Sequence, residues 1–223
     1  MAKVRGPILS IGASGSIAKS QVYASWRGVQ YARQHVVPSN PRTADQQITR
    51  GVFGGLQELY RRLPLGAQEP WQAAVSGRPL TARNAFTSLN VKALRGKEDM
   101  AGFVGSPGAR GGLALSDLRA VTGASPGSID VAFELGAGPS GWVLESVDLL
   151  VMRDRDPVVT PTDWPVLVRS QAPAVDVEVN KVVDGLVGGI TYVISGWSVW
   201  ERPDGRRAYG PSLTVTAAAS AEA

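Results

Sequence analysis

The spacing of apolar residues changes twice along the 223-residue chain and divides it into three parts. In the first part, residues 8–37 alternate as strands do, and QVYASW (21–26) and VQYARQHVV (29–37) flank the dipeptide Arg27-Gly28. Two alternating runs around a two-residue turn that contains glycine predict a β-hairpin. Because a lone hairpin is only marginally stable, we expect it to pack on the helices that follow or on another chain.

A proline-bounded stretch, PSNPRTADQQITR (38–50), separates this hairpin from a segment with helical spacing. Pro38 and Pro41 cannot donate to a sheet ladder, so they predict the end of the hairpin. Thr43 fits a helix N-cap, and Gln46 three residues later completes a capping box. The following helix is predicted to bury an apolar face made of Ile48, Val52, Leu56, Leu59 and Leu63, widened by Phe53 and Tyr60.

Three glycines interrupt the predicted helix at Gly51, Gly54 and Gly55. Each should cost about 1 kcal/mol relative to alanine in a helix interior. Two interpretations remain open from the sequence alone. Either the helix is broken at these glycines, or another part of the backbone approaches it closely.

Two shorter helices are predicted to complete a small bundle. EPWQAAV (69–75) indicates one helix, with Pro70 in its first turn and Trp71 turned inward. The other is predicted from about Thr81 to Leu94. Residues 1–96 are therefore interpreted as a hairpin plus a helical bundle, and residues 97–112, with five glycines and a proline, as a linker. The apolar positions of the third helix are Ala85, Phe86, Leu89, Val91 and Leu94.

Apolar residues recur with period two after the linker, as in SIDVAFEL (128–135) and ITYVISGWSVW (190–200). About seven such short runs, separated by proline, glycine and aspartate clusters, predict an immunoglobulin-like β-sandwich over residues 113–218. Residues 219–223 are expected to form a surface tail. The predicted fold class is α+β, with the hairpin and helices preceding an all-β sandwich.

Charge is distributed unevenly along the chain. Residues 1–112 contain 15 Lys+Arg and 5 Asp+Glu, whereas residues 113–223 contain 8 and 14. This asymmetry favours two domains with different partners. The basic half suits nucleic acid, an acidic protein surface or the acidic half of a neighbouring copy. The alternative is that the basic residues only solvate a surface. The chain has no cysteine, which excludes disulfides and thiolate metal sites, and no apolar run long enough for a transmembrane helix.

The search for catalytic chemistry gives no candidate. His35 is the only histidine, and no nucleophile-elbow motif accompanies it. GASGSIAKS (12–20) departs from a phosphate-binding loop, because Ala18 precedes Lys19 where that loop has glycine. Asp154, Asp156 and Asp163 suit calcium by ligand type, although a solvated loop is the simpler interpretation. We therefore expect no catalytic residue, no cofactor and no metal, and predict that the protein is not an enzyme.

The C-terminal half resembles fibronectin type III and related immunoglobulin-like domains. DLRAVTGASPGSIDVAFELG (117–136) matches the first two strands, LVGGITYVISGW (186–197) the tyrosine-bearing strand and AYGPSLTVTA (208–217) the last. The resemblance implies that Leu186 and Tyr192 lie at the corner before that strand and pack into the core. The proline that usually follows the leucine is replaced here by Val187-Gly188.

The N-terminal half, over about residues 12–91, is similar to a family of small proteins from tailed bacteriophages and prophages. The resemblance implies a structural or accessory protein of the virion. The residues that carry it are Trp26-Arg27-Gly28, Tyr31-Ala32-Arg33, Asn40-Pro41-Arg42-Thr43, Gln46, Arg50, Phe53, Trp71, Asn84-Ala85-Phe86 and Asn90.

Together these features predict a non-enzymatic virion component of the tail, neck or capsid surface, made in the host cytoplasm and present in many copies. Its N-terminal module is expected to anchor to other virion proteins on a symmetric scaffold. No association with a membrane is expected. The basic half also suits DNA binding or packaging. Host-glycan binding by the sandwich is a further alternative. Trp197 and Trp200 are predicted to point to opposite strand faces, so at most one is expected in the core and the other is expected to be exposed or in an interface. The candidate interaction residues are Arg27, Arg33, Arg42, Arg50 and Arg61.

Overall fold

The computed structural model describes residues 3–4, 13–26, 29–37, 39–109, 112–136, 138, 140–171 and 178–221. The chain divides into two compact units, Met1–Arg42 and Thr43–Ala223. The first unit is a sheet, and the second contains the helices and the sandwich. Each unit is described separately below.

The first unit is a four-stranded antiparallel sheet in which each strand pairs with the next along the chain. Trp26 pairs with Val29, which confirms the predicted hairpin, although Arg27 and Gly28 themselves lie outside the described residues. The hairpin is thus the outer half of a larger sheet. Its strands are β1 (Lys3–Val4), β2 (Ala13–Ile17), β3 (Gln21–Trp26) and β4 (Val29–Gln34).

Residues 13–17 of the GASGSIAKS segment form β2, and residues 18–20 form the turn to β3. Ala18 and Lys19 have φ angles of 46° and 56°, and the Ser20 amide donates to the Ile17 carbonyl at 2.9 Å. Positive φ at two successive residues is typical of tight hairpin turns. The turn accounts for this motif without a phosphate-binding role.

The second unit begins with three helices, α1 (Ala44–Arg62), α2 (Leu65–Val75) and α3 (Ala82–Leu94). Thr43 caps α1 as predicted, because its Oγ1 accepts a hydrogen bond from the Gln46 amide at 3.4 Å. The reciprocal half of the capping box is not formed. The Oε1 atom of Gln46 is buried and has no hydrogen-bond partner among the described residues.

The buried face of α1 is narrower than predicted. Val52, Leu56, Leu59, Leu63 and Tyr60 are buried, but the side chains of Ile48 and Phe53 are 40% and 53% exposed. Phe53 follows Val52 and therefore lies about 100° around the helix from the buried face. In α3, Leu89 is likewise exposed, whereas Phe86 and Leu94 are buried.

The second helix starts earlier than predicted, which changes the position of its proline. Because α2 begins at Leu65, Pro70 lies inside the helix and not in its first turn. Pro70 has no N–H to donate to the carbonyl of Gly66. Trp71 points inward as predicted, with its indole N–H donating to the Gly105 carbonyl at 2.8 Å.

Close approach of the 157–159 loop explains two of the three glycines in α1, which is continuous through all of them. A Cβ atom on Gly51 would lie 2.5 Å from the Val158 side chain, and one on Gly55 would lie 2.8 Å from the Pro157 carbonyl oxygen. A Cβ on Gly54 would meet nothing within 4 Å. Gly51 and Gly55 therefore admit the 157–159 loop against the helix, and Gly54 has no such role.

Alanine substitutions should separate these roles. We expect Gly54→Ala to raise the free energy of unfolding by about 0.5–1 kcal/mol through helix propensity and reduced unfolded-state entropy. Gly55→Ala should lower it by about 1–3 kcal/mol, because a backbone carbonyl cannot move aside as a flexible side chain can. Urea unfolding followed by circular dichroism measures both. Equal stabilisation by the two variants would contradict the close contact.

The rest of the second unit is a two-sheet sandwich. The smaller sheet has the order β10-β7-β6, and the larger has the order β5-β12-β11-β8-β9, with β13 also paired to β11. Seven strands correspond to the fibronectin type III order if β12 and β13, which lie end to end along β11, count as one. This arrangement confirms the predicted α+β fold with a β-sandwich. The smaller sheet contains β6 (Asp117–Thr122), β7 (Ile129–Glu134) and β10 (Val179–Val183); the larger contains β5 (Pro107–Ala109), β8 (Val143–Arg153), β9 (Val166–Gln171), β11 (Thr191–Glu201), β12 (Arg207–Pro211) and β13 (Leu213–Ala218).

The central strands of the larger sheet are buried on both faces. On β11, Val193 and Trp197 belong to a core shared with the helices, while Ile194 and Trp200 belong to the core between the sheets. The unit therefore has three layers: helices, larger sheet and smaller sheet. Both tryptophans belong to core clusters, which is contrary to the expectation that at most one would do so. Helices cover the face of the sheet that an isolated sandwich would leave open.

The segment predicted as a linker, residues 97–112, is instead packed into the structure. Met100 and Phe103 are buried in the core beneath the helices, and β5 pairs with β12. Asn90 of α3 holds the segment, since its Oδ1 accepts from the Val104 amide at 2.8 Å and its Nδ2 donates to the Val104 carbonyl at 3.1 Å. Arg110 and Gly111 lie outside the described residues. No helix within the described ranges is long and apolar enough to span a membrane.

Candidate interaction sites

The five arginines predicted as interaction residues do not form one cluster along the chain. Arg27 lies outside the described residues, and Arg33 is exposed on β4. Arg42 precedes α1 with a φ of 51°. Arg50 and Arg61 share the exposed side of α1, where Arg61 pairs with Glu58 at 3.0 Å. The prediction therefore falls on two units, with Arg33 and Arg42 in the first.

The first unit combines strong positive charge with exposed or half-buried side chains throughout its described part. Residues 1–42 contain six Lys+Arg and no Asp or Glu, while the remaining residues contain 17 and 19. None of the side chains described at 14–24, 31–37 and 39–42 is buried, and Tyr31 is 41% exposed. A sheet that buries no side chain gains little hydrophobic stabilisation by itself.

Residues that carry the phage-family resemblance divide into buried and exposed sets. Trp71 and Phe86 pack edge to face with ring centroids 5.2 Å apart, and Asn90 is fully buried. These side chains build the core. Arg50 and Phe53, in contrast, are exposed on α1 and have no role in that core.

The acidic residues considered for calcium each have a separate structural role. The Oδ1 atom of Asp154 accepts from the Met100 amide at 2.8 Å, and that of Asp156 accepts from the Val158 amide at 2.8 Å. Asp163 pairs with the Nε atom of Arg153 at 3.3 Å. Within the described part of the chain, no group of three or more histidine or carboxylate side chains could hold a metal ion.

A cavity of about 280 Å³ opens where the end of β8, the 154–165 loop and the turn before β11 meet. Arg153, Arg155, Asp163 and Trp164 line one part of it, and Leu186 and Tyr192 line another. Its volume is at the small end of the range for ligand sites, roughly 300–1,000 Å³. We call this cavity the Arg155 pocket.

Arg155 is the most unusual group in this pocket. Among the described residues, no hydrogen bond or ion pair engages its half-buried guanidinium. Burial lowers the pKa of Arg155 below its usual value; the charge of Asp163 opposes this effect and that of Arg62 adds to it. Arginine nevertheless remains protonated in proteins, so the pocket holds a positive charge without a direct partner.

Trp164 is the exposed aromatic residue at the Arg155 pocket. Its side chain is 70% exposed, and the Arg62 guanidinium lies 5.3 Å from its ring centroid. Arg62 is held by Glu58 at 3.1 Å and by the Thr162 carbonyl at 2.7 Å. Neither Arg155 nor Trp164 was predicted as a site residue, although the tryptophan within the polar, proline-rich stretch TPTDWP is a signal that the sequence contains.

A second, more open groove of about 340 Å³ lies between α2 and the β11–β12 turn. Arg207 bridges Glu69 and Glu145, and the Tyr209 hydroxyl donates to Glu69 at 3.2 Å. Burial and the charge of Glu69 raise the pKa of Tyr209 to about 12. These contacts join α2 to the sheet, so we interpret the network as a structural link, although the buried Oε2 atom of Glu145 has no hydrogen-bond partner among the described residues.

The corner before β11 agrees with the resemblance to fibronectin type III domains. Tyr192 is buried, and its hydroxyl oxygen accepts a hydrogen bond from the Val187 amide at 3.0 Å. Leu186 packs against the core between the sheets. This is the tyrosine corner found in many immunoglobulin-like sandwiches.

No protein-family model matches the chain, and no curated protein matches it either. Among solved structures, a human collagen XX FN3 domain is 15% identical and covers 50% of this chain and 97% of its own, with a TM-score of 0.33. A myokine structure is 8% identical over 50% and 99%, with a TM-score of 0.34. A redesigned β-sandwich protein is 13% identical over 49% and 91%, with a TM-score of 0.32. The assignment of the fold rests on the strand order and the tyrosine corner.

Proposed function

We propose that this protein is a non-enzymatic structural or accessory component of a tailed-bacteriophage virion, in which residues 1–42 dock onto an acidic surface of another virion protein. The observation that carries the proposal is the first unit itself, a basic sheet with no acidic residue and no buried described side chain. Docking would cover its apolar and aromatic groups and neutralise its charge. The layered second unit would pack beside the scaffold or project from it.

Two further features support this proposal. The sequence resemblance of residues 12–91 to phage proteins implies that the protein is part of a virion. Arg50 and Phe53 are among the residues that carry this resemblance, and both are exposed on α1. The immunoglobulin-like sandwich is an architecture that many surface and interaction proteins use. Since folds host many functions, the docking role rests on the charge and exposure of the first unit.

Charge reversal tests the docking role. We expect the double variant Lys19→Glu/Arg33→Glu to reduce incorporation into purified virions by about tenfold or more, because both exposed side chains would then repel an acidic scaffold. Quantitative mass spectrometry of virions gives the copy number per particle. The control variant is Arg78→Glu, an exposed arginine in the turn between α2 and α3.

Two results would contradict the proposal. The first is the absence of the wild-type protein from purified virions. The second is incorporation of Lys19→Glu/Arg33→Glu to the same copy number as Arg78→Glu. Thermal unfolding of both variants must match the wild type, so that lost incorporation reports lost docking.

Nucleic-acid binding is the second candidate function, and the same charge of residues 1–42 favours it. Phosphate neutralisation by Lys and Arg makes affinity fall steeply with salt. If DNA is the partner, fluorescence anisotropy with a DNA duplex should show binding at about 20 mM salt that is lost near 200 mM. Binding that Lys19→Glu/Arg33→Glu abolishes, together with absence from virions, would select this function over docking.

A further inference from the structure

We propose that the Arg155 pocket binds a small monocarboxylate that also carries hydroxyl groups, as an acidic sugar does. The inference is independent of the docking role of residues 1–42, because each residue of the pocket belongs to the second unit. Three features of the pocket carry the proposal: a guanidinium without a direct partner, a carboxylate beside it and an exposed indole.

The guanidinium of Arg155 supplies the anion-binding group. It lines the cavity and is half-buried, and no described residue engages it by a hydrogen bond or an ion pair. A planar guanidinium matches a carboxylate through two parallel hydrogen bonds. A bound carboxylate would therefore supply the acceptors that this side chain lacks.

The charge of the pocket favours one negative charge on the ligand. Of the charged side chains that line the pocket, Arg153 and Arg155 contribute two positive charges and Asp163 contributes one negative charge. Arg62 lies next to the pocket and also acts on Arg155, but its charge is offset by its ion pair with Glu58. The pocket thus has a net charge of one, which a carboxylate neutralises and a phosphate dianion exceeds. Asp163 is also an acceptor that a ligand hydroxyl could donate to.

Trp164 explains why a ring-bearing ligand is preferred over a simple acid. Its largely exposed indole lines the same cavity as Arg155. The Arg62 guanidinium lies over this ring at 5.3 Å from its centroid, so a ligand would pack on the part of the indole that Arg62 leaves uncovered. The apolar face of a sugar ring can cover such a surface while its hydroxyls stay in water or reach Asp163. The cavity volume of about 280 Å³ is at the small end of the range for ligand sites, so it suits a ligand with a single ring.

Binding of glucuronate to the full-length protein tests the proposal. We expect saturable shifts in the amide NMR signals of Val166 and Val187, which line the cavity. Glucose and inorganic phosphate, used as probes of the ring and the charge, should shift these signals far less. Arg155→Gln should weaken glucuronate binding by about tenfold or more, since it removes a charge-assisted pair. Trp164→Ala changes an exposed side chain, so it should weaken binding without impairing folding.

The matched control is Arg206→Gln, which changes an exposed arginine in the β11–β12 turn, outside the pocket. Glucuronate should bind this variant as it binds the wild type. The proposal is overturned if no probe shifts the signals, if glucose or phosphate binds as tightly as glucuronate, or if neither Arg155→Gln nor Trp164→Ala weakens binding. Lost virion incorporation of Lys19→Glu/Arg33→Glu would have no bearing on this result.

Discussion

Replacing Trp71 by alanine is expected to destabilise the helices and the sandwich together. Trp71 lies on α2 and is 1% exposed, its indole packs against Phe86, and its N–H donates to the Gly105 carbonyl. Truncating a buried tryptophan costs about 3–5 kcal/mol. Because Trp71 and the sheet residues Leu150 and Trp197 share one core, that loss should fall on the whole second unit.

Two probes should report one transition for the wild type and for Trp71→Ala. Circular dichroism at 222 nm follows the helices, and hydrogen exchange of the β7 amides follows the smaller sheet. No described residue of the smaller sheet belongs to the core cluster that contains Trp71. The exposed Trp164 provides the control, because Trp164→Ala should cost less than about 1 kcal/mol. Unchanged protection of β7 in Trp71→Ala would show that the helices and sandwich are separate folding units.

Local patterns predicted the elements of this fold well. The Thr43 cap, the inward Trp71, the third helix and the strands of the sandwich all agree with the sequence analysis. In each case a few neighbouring residues determine the outcome. A cap needs one hydroxyl, and a half-buried strand needs only alternation.

The packing between elements was not predicted, although β8 and β11 carried a signal for it. VDLLVM and YVISGWSVW are nearly continuous apolar runs, whereas a sandwich with one solvated face should alternate. Both faces of these strands are buried because the helices cover the outer one. The same signal explains why Trp197 and Trp200 are both buried.

The packing of residues 97–112 shows why the prediction of a linker from composition was wrong. Five glycines in residues 97–112 suggested flexibility, yet Gly105 lies close to Ser195 and Trp197, where a Cβ would be crowded. Small residues there permit close packing between the segment and β11. Sequence alone does not distinguish a glycine that makes the backbone flexible from one that allows a neighbouring segment to pack closely.

The candidate sites differ in how far the sequence could reveal them. The charge of residues 1–42 is countable, although the boundary at Arg42 follows from contacts. The Arg155 pocket combines α1, the 154–165 loop and the turn before β11, and only the folded chain brings these segments together. In the sequence, the RDRDP motif (153–157) suggested its aspartates as calcium ligands. In the structure, the candidate binding residue of this motif is Arg155.

Removing Arg169 is expected to produce the second large loss of stability. Asp148 on β8 is fully buried, and its carboxylate accepts from the Nε and Nη2 atoms of Arg169 at 2.7 and 2.8 Å and from Ser146 at 3.1 Å. The hydrogen bonds to Asp148 raise the pKa of Arg169 above its usual value. Arg169→Ala leaves a buried charge with one neutral donor, which should cost about 3–5 kcal/mol. Urea unfolding of the full chain measures this loss.

A double variant distinguishes the value of the pair from the cost of orphaning one partner. Asp148→Leu/Arg169→Leu removes both charges, so it should unfold with a free energy within about 1–2 kcal/mol of the wild type. Arg119→Ala is the control, because the Arg119–Asp117 pair is on the surface and should contribute less than about 1 kcal/mol. If Arg169→Ala is no more harmful than Arg119→Ala, water reaches Asp148 and the pair is not buried in solution. If the double variant is as unstable as Arg169→Ala, the pair itself stabilises the contact between β8 and β9.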